Sequence, residues 1–328
     1  MEQRILGRTG IKVSVLGFGC GAVGGLMTKG DPRDQERAVA RALEMGITYF
    51  DTASIYGNGT SEENTGRVWA KLKPKAAIGT KVRPKEEEYR NVGAAIRASC
   101  EASLKRLGMP SVDLFQLHNR IGATSKGDVM SADLVLNEVV PAFERLKREG
   151  KIRWFGITAL GETESLLKVI RSGAFDTAQI CYNALNPSAD APVPPRFPGQ
   201  DYAGLMTAAK AAGLGTIAIR VLAGGALSGS AERHPLNVQV VEPIGSGADF
   251  SEDVQRALRF KPLIEEGVAA DLPELALRFA ISSPSLSTAL IGLANLEQLE
   301  AAYRAVSKGP LDAAALAKVR AIQSQFSG

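Results

Sequence analysis

The run Asp51-Thr52-Ala53-Ser54-Ile55-Tyr56 directly follows the apolar stretch Ile47-Thr48-Tyr49-Phe50. A carboxylate and a phenol therefore stand where a buried strand gives way to a loop. Lys81 closes a second apolar run, Ala76-Ala77-Ile78-Gly79-Thr80, and His118 closes a third, Val112-Asp113-Leu114-Phe115-Gln116-Leu117. Asp, Tyr, Lys and His at successive strand ends form a proton-transfer set. A buried lysine beside a carboxylate stays charged, and a nearby ammonium lowers the pKa of a phenol from its ordinary value of about 10. Tyr56 can then serve as general acid at neutral pH while His118 orients a substrate oxygen. Each residue alone has a blander explanation. Ion-pair networks built for structure also perturb pKa values, and a lone strand-end histidine is more often a satisfied core residue. Convergence of the set at one rim points to an enzyme that protonates a small substrate while something else delivers the electrons.

The elements that must position these side chains alternate along the chain. Eight mostly continuous apolar runs read as strands: Val13–Phe18, Ile47–Asp51, Ala76–Lys81, Val112–His118, Ile152–Thr158, Thr177–Tyr182, Gly215–Leu222 and Thr288–Gly292. Continuous rather than alternating runs suit parallel strands covered on both faces. Between them lie helical patterns at Asp34–Glu44, Glu62–Lys71, Glu87–Leu107, Asp133–Glu149, Glu162–Ser172, Tyr202–Ala212 and Leu272–Ser283, with two more near Leu296–Val306 and Asp312–Gln325. Gly46, Gly108, Gly150, Gly173 and Gly213 each stand just past a helical pattern, where a left-handed cap favours glycine. Eight β-then-α units without a composition break predict an α/β fold, a (β/α)8 TIM barrel spanning 1–328 as one domain. Arg4–Val13, with its Gly7-Arg8-Thr9-Gly10 turn, reads as a hairpin closing the barrel bottom, and the last two helices as C-terminal additions. Asp51, Lys81 and His118 would end the second, third and fourth strands on the C-terminal face, where barrel enzymes place their chemistry. Two irregular segments, the proline-rich Pro187–Pro198 and the long Ser228–Lys261, would lie on the same rim and are read as functional loops.

Composition narrows the function classes. The 328 residues carry 39 basic and 35 acidic side chains, a net charge of +4 that is too small and too dispersed to argue for nucleic acid or a membrane surface. No zinc spacing, P-loop or His-Glu-x-x-His motif is present, so no metal is expected. Cys20, Cys100 and Cys181 read as reduced, buried thiols, and no leader or spanning segment is read, which together predict a cytoplasmic protein. Gly19-Cys20-Gly21-Ala22-Val23-Gly24 matches the dinucleotide fingerprint after a strand, but Gly25 and Lys29-Gly30-Asp31-Pro32 follow where a helix should begin, so a doubly wound domain is disfavoured. No tyrosine is followed four residues on by the lysine of short-chain dehydrogenases.

The chain resembles the aldo-keto reductases over nearly its whole length. The resemblance is carried by Leu16-Gly17-Phe18-Gly19, Gly46-Ile47-Thr48-Tyr49-Phe50-Asp51-Thr52-Ala53, Val112-Asp113-Leu114-Phe115-Gln116-Leu117-His118 and Gly150-Lys151-Ile152-Arg153. Ala178-Gln179-Ile180-Cys181-Tyr182-Asn183 and Ala223-Gly224-Gly225-Ala226-Leu227-Ser228-Gly229 complete the set. It implies a nicotinamide-dependent carbonyl reductase with the catalytic tetrad Asp51, Tyr56, Lys81 and His118. It further implies that Gln179 and the residues at 158 and 159 hold the carboxamide, that Leu222–Leu227 (including Gly224) cradle the pyrophosphate, and that Gly292–Gln298 (including Asn295) meet the adenosine end. The chain departs from the family pattern where Thr158-Ala159 replace Ser-Asn, and where Ile219, beside Arg220, replaces the aromatic that stacks under the nicotinamide. Leu293-Ala294-Asn295 offer no cation to a 2′-phosphate, and Ala301-Ala302 replace the adenine contact. The resemblance makes NADP(H) the expected cofactor, the missing cation leaves NAD(H) possible, and Arg220 or Arg278 are candidate substitutes for that cation.

The expected activity is reduction of a small carbonyl substrate (an aldehyde, ketone or sugar-type carbonyl) or the reverse alcohol oxidation, by hydride transfer with Tyr56 as general acid. Two other classes stay open: a cofactor-sensing regulatory subunit of the channel-associated type with slow turnover, and a barrel isomerase or lyase without net redox. No oligomeric state is read from the sequence.

Overall fold

The computed structural model describes residues 1–247 and 249–326. Eight parallel strands close into a barrel in chain order: β1 (Leu16–Gly19), β2 (Tyr49–Asp51), β3 (Ala77–Val82), β4 (Val112–Leu117), β5 (Ile152–Ala159), β6 (Thr177–Cys181), β7 (Gly215–Ile219) and β8 (Thr288–Gly292). This is the (β/α)8 barrel that the pattern predicts, and its register decides which side chains meet. Asp51 pairs with Gly79, Lys81 with Gln116, and Gln179 with Thr158. Side chains of one strand alternate between faces, so Asp51, Lys81, Gln116, Thr158 and Gln179 share one closed, buried rim.

The first predicted strand, Val13–Phe18, is two strands in the structure. Lys12–Ser14 pairs antiparallel with Gln3–Ile5, and the barrel strand begins only at Leu16. The backbone changes partner at Ser14. Ser14 and Thr48 bond reciprocally, Ser14 N to Thr48 Oγ1 at 2.8 Å and Thr48 N to Ser14 Oγ at 3.0 Å. That side-chain exchange takes the place of ladder bonds, so β2 starts at Tyr49 rather than at Ile47. The hairpin does close the barrel: Leu6 and Val13 are buried against Tyr49, Ala77, Leu114 and Ile217. Arg8 fixes it from outside by donating to the carbonyls of Gly173 and Ala212, at the ends of two helices. The larger apolar cluster lies between the strands and the helical ring.

The helices carry legible ends. Pro32–Glu44 begins before the predicted Asp34, because Asp31 accepts from Arg33 N at 2.8 Å and Pro32 supplies a preset first turn. All of the predicted cap glycines have positive φ, from 65° at Gly108 to 84° at Gly46. Two predicted helices are broken. Glu87–Leu107 is a tight turn, Glu86–Asn91, followed by a helix from Val92, the backbone of Asn91 leaving the helical region at φ −143°. Asp133–Glu149 carries a wide turn at Val135–Val139 before Val140–Arg148; Pro141 has no N–H and its ring crowds the preceding turn, which a wider turn relieves. A small strand pair, Arg120–Gly122 with Val129–Ser131, lies in what the pattern leaves as loop. The segment after β7 contains a helix, Phe250–Leu258, capped by Asp249. Buried Ser246, Asp253 and Arg256 bond to one another and brace this segment from within.

Candidate active site

Asp51 is buried at the end of β2, and each of its oxygens has partners. Oδ2 accepts from the Lys81 ammonium. Oδ1 accepts from Gln179 Nε2 at 2.6 Å, Tyr49 Oη at 2.8 Å and Gln116 Nε2 at 3.3 Å. Lys81, fully buried, places its other two N–H groups on Thr52 O at 2.8 Å and Tyr56 Oη at 3.3 Å. Burial pulls the Lys81 pKa down, but Asp51 and Tyr56 outweigh it and hold it above the ordinary value, so the side chain is a cation throughout the neutral range. Burial, and then Asp51, push the Tyr49 phenol well above its usual value, so Tyr49 serves as a fixed donor. Room for this cluster comes from Gly79: a Cβ there would stand 2.9 Å from Tyr49 Oη and 3.3 Å from Asp51 Oδ1.

Tyr56 stands in the turn beyond β2, partly accessible, with its ring edge-on to His118 at 5.7 Å between centroids. Its hydroxyl is therefore held between the Lys81 ammonium and the open mouth. His118 follows β4 and is anchored by its backbone N–H to Val82 O at 2.8 Å. Burial, then the charges of Lys81 and Arg83, depress its pKa well below the ordinary imidazole value. It is neutral at pH 7, and its Nδ1 is enclosed without a partner among the described residues. The four residues singled out by type and spacing are thus brought to one place, an ammonium wired to a carboxylate behind and to a phenol in front.

The remaining candidates lie along the same rim. Thr158 Oγ1 is 3.5 Å from Gln179 Oε1, while Gln179 Nε2 is committed to Asp51. Ile219 ends β7, and the chain then turns sharply, with φ of 57° at Arg220, 49° at Ala223, 69° at Gly224 and 114° at Gly225. Leu222 is half-buried and Leu227 buried in that turn. Gly292 ends β8. Asn295 and Gln298 are occupied in capping the next helix: Asn295 Oδ1 accepts from Gln298 N at 2.9 Å, and Gln298 Oε1 accepts from Ala294 N at 2.8 Å. Arg278 is engaged elsewhere, bonding Val268 O, Glu274, Gly309 O and Pro310 O. The glycines of the apparent fingerprint let loops approach closely: a Cβ on Gly24 would meet Leu293 N at 2.1 Å, and one on Gly25 would meet Leu236 O at 1.9 Å. Thiol chemistry has no support at this rim, since burial pushes Cys20 up to about 12 and Cys181 up to about 11.

The family model for the aldo/keto reductases matches residues 15–324, nearly the whole chain. The chain belongs to the aldo/keto reductase family. It is an NAD(P)H-dependent oxidoreductase. It is 27% identical over 316 residues to the L-galactose dehydrogenase of Arabidopsis thaliana, covering 94% of this chain and 89% of that protein. It is 29% identical over 327 residues to an uncharacterized oxidoreductase of Bacillus subtilis, covering 93% and 91%. An aldo-keto reductase of Bacillus halodurans, solved in its holo form, superposes with a TM-score of 0.73 at 24% identity over 100% of this chain and 98% of that one, a likeness of fold.

In this family setting one observation at the rim fits a bound ligand: His118 Nδ1 is an enclosed polar atom with no partner among the described residues. The Gly224–Gly225 turn is covered by this chain's own side chains, since a Cβ on Gly224 would meet Val241 Cγ1 at 2.6 Å and one on Gly225 would meet Arg233 Nη1 at 2.9 Å. Reading strand ends alone overlooked Tyr49 and Gln116, which hold Asp51 from one layer below. Their signal was present: Tyr49 precedes Asp51 by two, and Gln116 precedes His118 by two, the spacing that returns a strand to the same face.

Proposed function

We propose that this aldo/keto reductase reduces a polar, hydroxylated carbonyl compound, with Tyr56 as the proton donor. The observation that carries the reading is the Lys81 ammonium, bonded at once to Asp51 and to Tyr56 Oη at 3.3 Å. When bound, the nicotinamide supplies the hydride that the carbonyl carbon accepts. Tyr56 Oη gives its proton to the carbonyl oxygen as negative charge develops there, and Lys81 stabilises the phenolate that remains. Asp51 keeps Lys81 in place, and Asp51 is itself held by Tyr49, Gln116 and Gln179. Neutral His118 offers one N–H and one lone pair to orient the substrate oxygen. In the oxidation direction the same atoms run in reverse, with the phenolate taking the alcohol proton.

Polar substrates are favoured by the surroundings of the mouth. Arg83 and Asp128 form a two-pronged ion pair at 2.6 and 2.5 Å, Arg120 meets Glu242 at 3.0 Å, and Asn119 Oδ1 is buried without a partner among the described residues. The relative named as an L-galactose dehydrogenase adds weight to a sugar-type carbonyl. NADP(H) is the preferred cofactor in this reading and NAD(H) a usable one, because Asn295 and Gln298 are engaged in capping and bring no cation. Steady-state NADPH and NADH consumption with a panel of hydroxylated and apolar aldehydes, and NADP⁺ or NAD⁺ reduction with aldoses, tests the proposal. Turnover of the hydroxylated members ahead of apolar ones of equal size supports it. No turnover of any carbonyl or alcohol by a preparation that binds the dinucleotide overturns it in favour of a sensing role.

A further inference from the structure

Two phenols stand at the two ends of one buried carboxylate–ammonium pair. At the mouth, the Lys81 ammonium meets Tyr56 Oη at 3.3 Å. One layer below, Tyr49 Oη donates to Asp51 Oδ1 at 2.8 Å, while Lys81 bonds the other oxygen, Oδ2. Gln179 and Gln116 also donate to Oδ1, at 2.6 and 3.3 Å. The carboxylate is thus divided: one oxygen serves the cation, and the other is held by neutral donors.

The barrel makes room for Tyr49 on both sides. A Cβ on Gly17 of β1 would stand 3.2 Å from Tyr49 Cδ1, and one on Gly79 of β3 would stand 2.9 Å from Tyr49 Oη. A phenylalanine would fill nearly the same volume. The hydroxyl is the part that crowds Gly79, and burying it costs free energy unless it is bonded, which Asp51 provides. In a low-dielectric interior such a bond is felt beyond its own partner. The positive end of the O–H dipole points at Asp51. It takes up negative charge that would otherwise act on Lys81 and on Tyr56.

We propose that Tyr49 is a positioning residue for the proton transfer, acting through Asp51 and Lys81 to ease the loss of the Tyr56 proton. The inference rests on Tyr56 being the proton donor and adds the group that tunes it. Asp51 is faced by Tyr49 from its own strand, by Cys20 beyond β1 and by Lys81 from β3; Gln116 on β4 and Gln179 on β6 carry no charge. Tyr56 is faced by Lys81 and by neutral His118. Arg83 is paired with Asp128, and Glu62, from the helix Thr60–Leu72, with Arg106. Burial and Asp51 keep the proton on Tyr49, and Cys20 is held up at about 12, so neither changes charge around neutrality. Without the Tyr49 hydroxyl, more of the Asp51 charge faces the Lys81–Tyr56 contact, and a phenolate at Tyr56 forms less readily.

The test is an ultraviolet titration of phenol ionisation in wild type, Tyr49→Phe and Gln116→Met. The step belonging to Tyr56 is the one that Tyr56→Phe removes. Tyr49→Phe is expected to move that step upward by about half a pH unit or more, about threefold in the ionisation constant. The alkaline limb of kcat for alcohol oxidation is expected to move with it, with KM and dinucleotide affinity within about twofold of wild type. Gln116→Met removes a longer bond to the same oxygen. It is expected to move the step in the same direction by less, and it decides the matter if Tyr49→Phe does not fold. An unmoved step in a folded Tyr49→Phe, even one of lowered stability, makes Tyr49 a purely structural residue and overturns the inference. A downward move overturns it, as does the absence of any step that Tyr56→Phe removes. A wild type that turns over no carbonyl or alcohol overturns Tyr56 as proton donor. The titration needs no substrate, and then judges the link from Tyr49 to Tyr56 alone.

Discussion

Replacing Lys81 by methionine should separate what the buried ion pair does for stability from what it does for proton transfer. Lys81 is inaccessible to solvent and bonds through all of its N–H groups, to Asp51, Thr52 O and Tyr56 Oη. Breaking a buried pair by removing one partner generally costs about 3–5 kcal/mol, because the other charge is left uncompensated. Asp51 is better placed than most, since Tyr49, Gln116 and Gln179 still donate to its Oδ1. Lys81→Met should therefore fall at the low end, at about 3 kcal/mol. The double variant Asp51→Asn/Lys81→Met removes both charges and should cost less than the sum of the single changes, with a coupling of at least about 1.5 kcal/mol. Urea unfolding of the four proteins at pH 7, read as midpoint shifts at constant slope, measures this cycle. Single-variant costs that simply add would refute the claim that the two charges are each other's main compensation. Turnover gives the second readout. Lys81→Met should retain dinucleotide binding and lose reduction, and the alkaline limb of its residual oxidation profile should move upward.

His118→Gln should change the acid side of the stability profile. The folded-state imidazole titrates well below 6.5, so the unfolded chain binds the proton more readily, and His118 makes wild type lose stability as pH falls below about 6.5. Urea midpoints at pH 7 and pH 5 should differ less in the variant, and an equal difference would contradict the assigned burial. Lys81, with its raised pKa, contributes stability that is fully present below about 10.5 and is lost as pH rises through its folded value, so the wild-type midpoint should fall on that alkaline side. Gly79→Ala should cost about 1–3 kcal/mol by overpacking, since its methyl meets Tyr49 Oη at 2.9 Å, and turnover should fall as Asp51 shifts; unfolding and kinetics on one preparation check both. Asn295→Arg should widen the preference for NADPH over NADH while costing about 1 kcal/mol for the lost helix cap. A wild type already selective by more than about a thousandfold, roughly 4 kcal/mol, would reveal a strong 2′-phosphate site beyond Asn295.

The barrel was legible because buried parallel strands leave unbroken apolar runs, and the candidate site was legible because barrels present polar residues where those runs stop. Thr288–Gly292 matches its predicted bounds, whereas Val13–Phe18 merges two strands. Hydropathy does not register a change of pairing partner, and the Ser14–Thr48 exchange that causes it joins residues far apart in sequence. Tyr49 and Gln116 are not marked by the strand-end pattern, because they stand one layer below it, where only the period of two along each strand points to them. Asn295 carries two readings at once. Family position assigns it to a ligand, while Asn295-x-x-Gln298 is a helix-start pattern that local chemistry explains.

Tyr56→Phe tests the central claim most directly, because it removes one hydroxyl at the mouth and leaves Lys81, Asp51 and the edge-on ring contact with His118 in place. The measurement is kcat for reduction of the best carbonyl in the panel, alongside NADPH affinity by fluorescence titration. The account predicts affinity unchanged within about twofold and kcat lowered by about a hundredfold or more, the usual worth of a positioned general acid. Normal affinity with kcat reduced less than about tenfold would contradict it, and would mean that the proton comes from a group other than Tyr56.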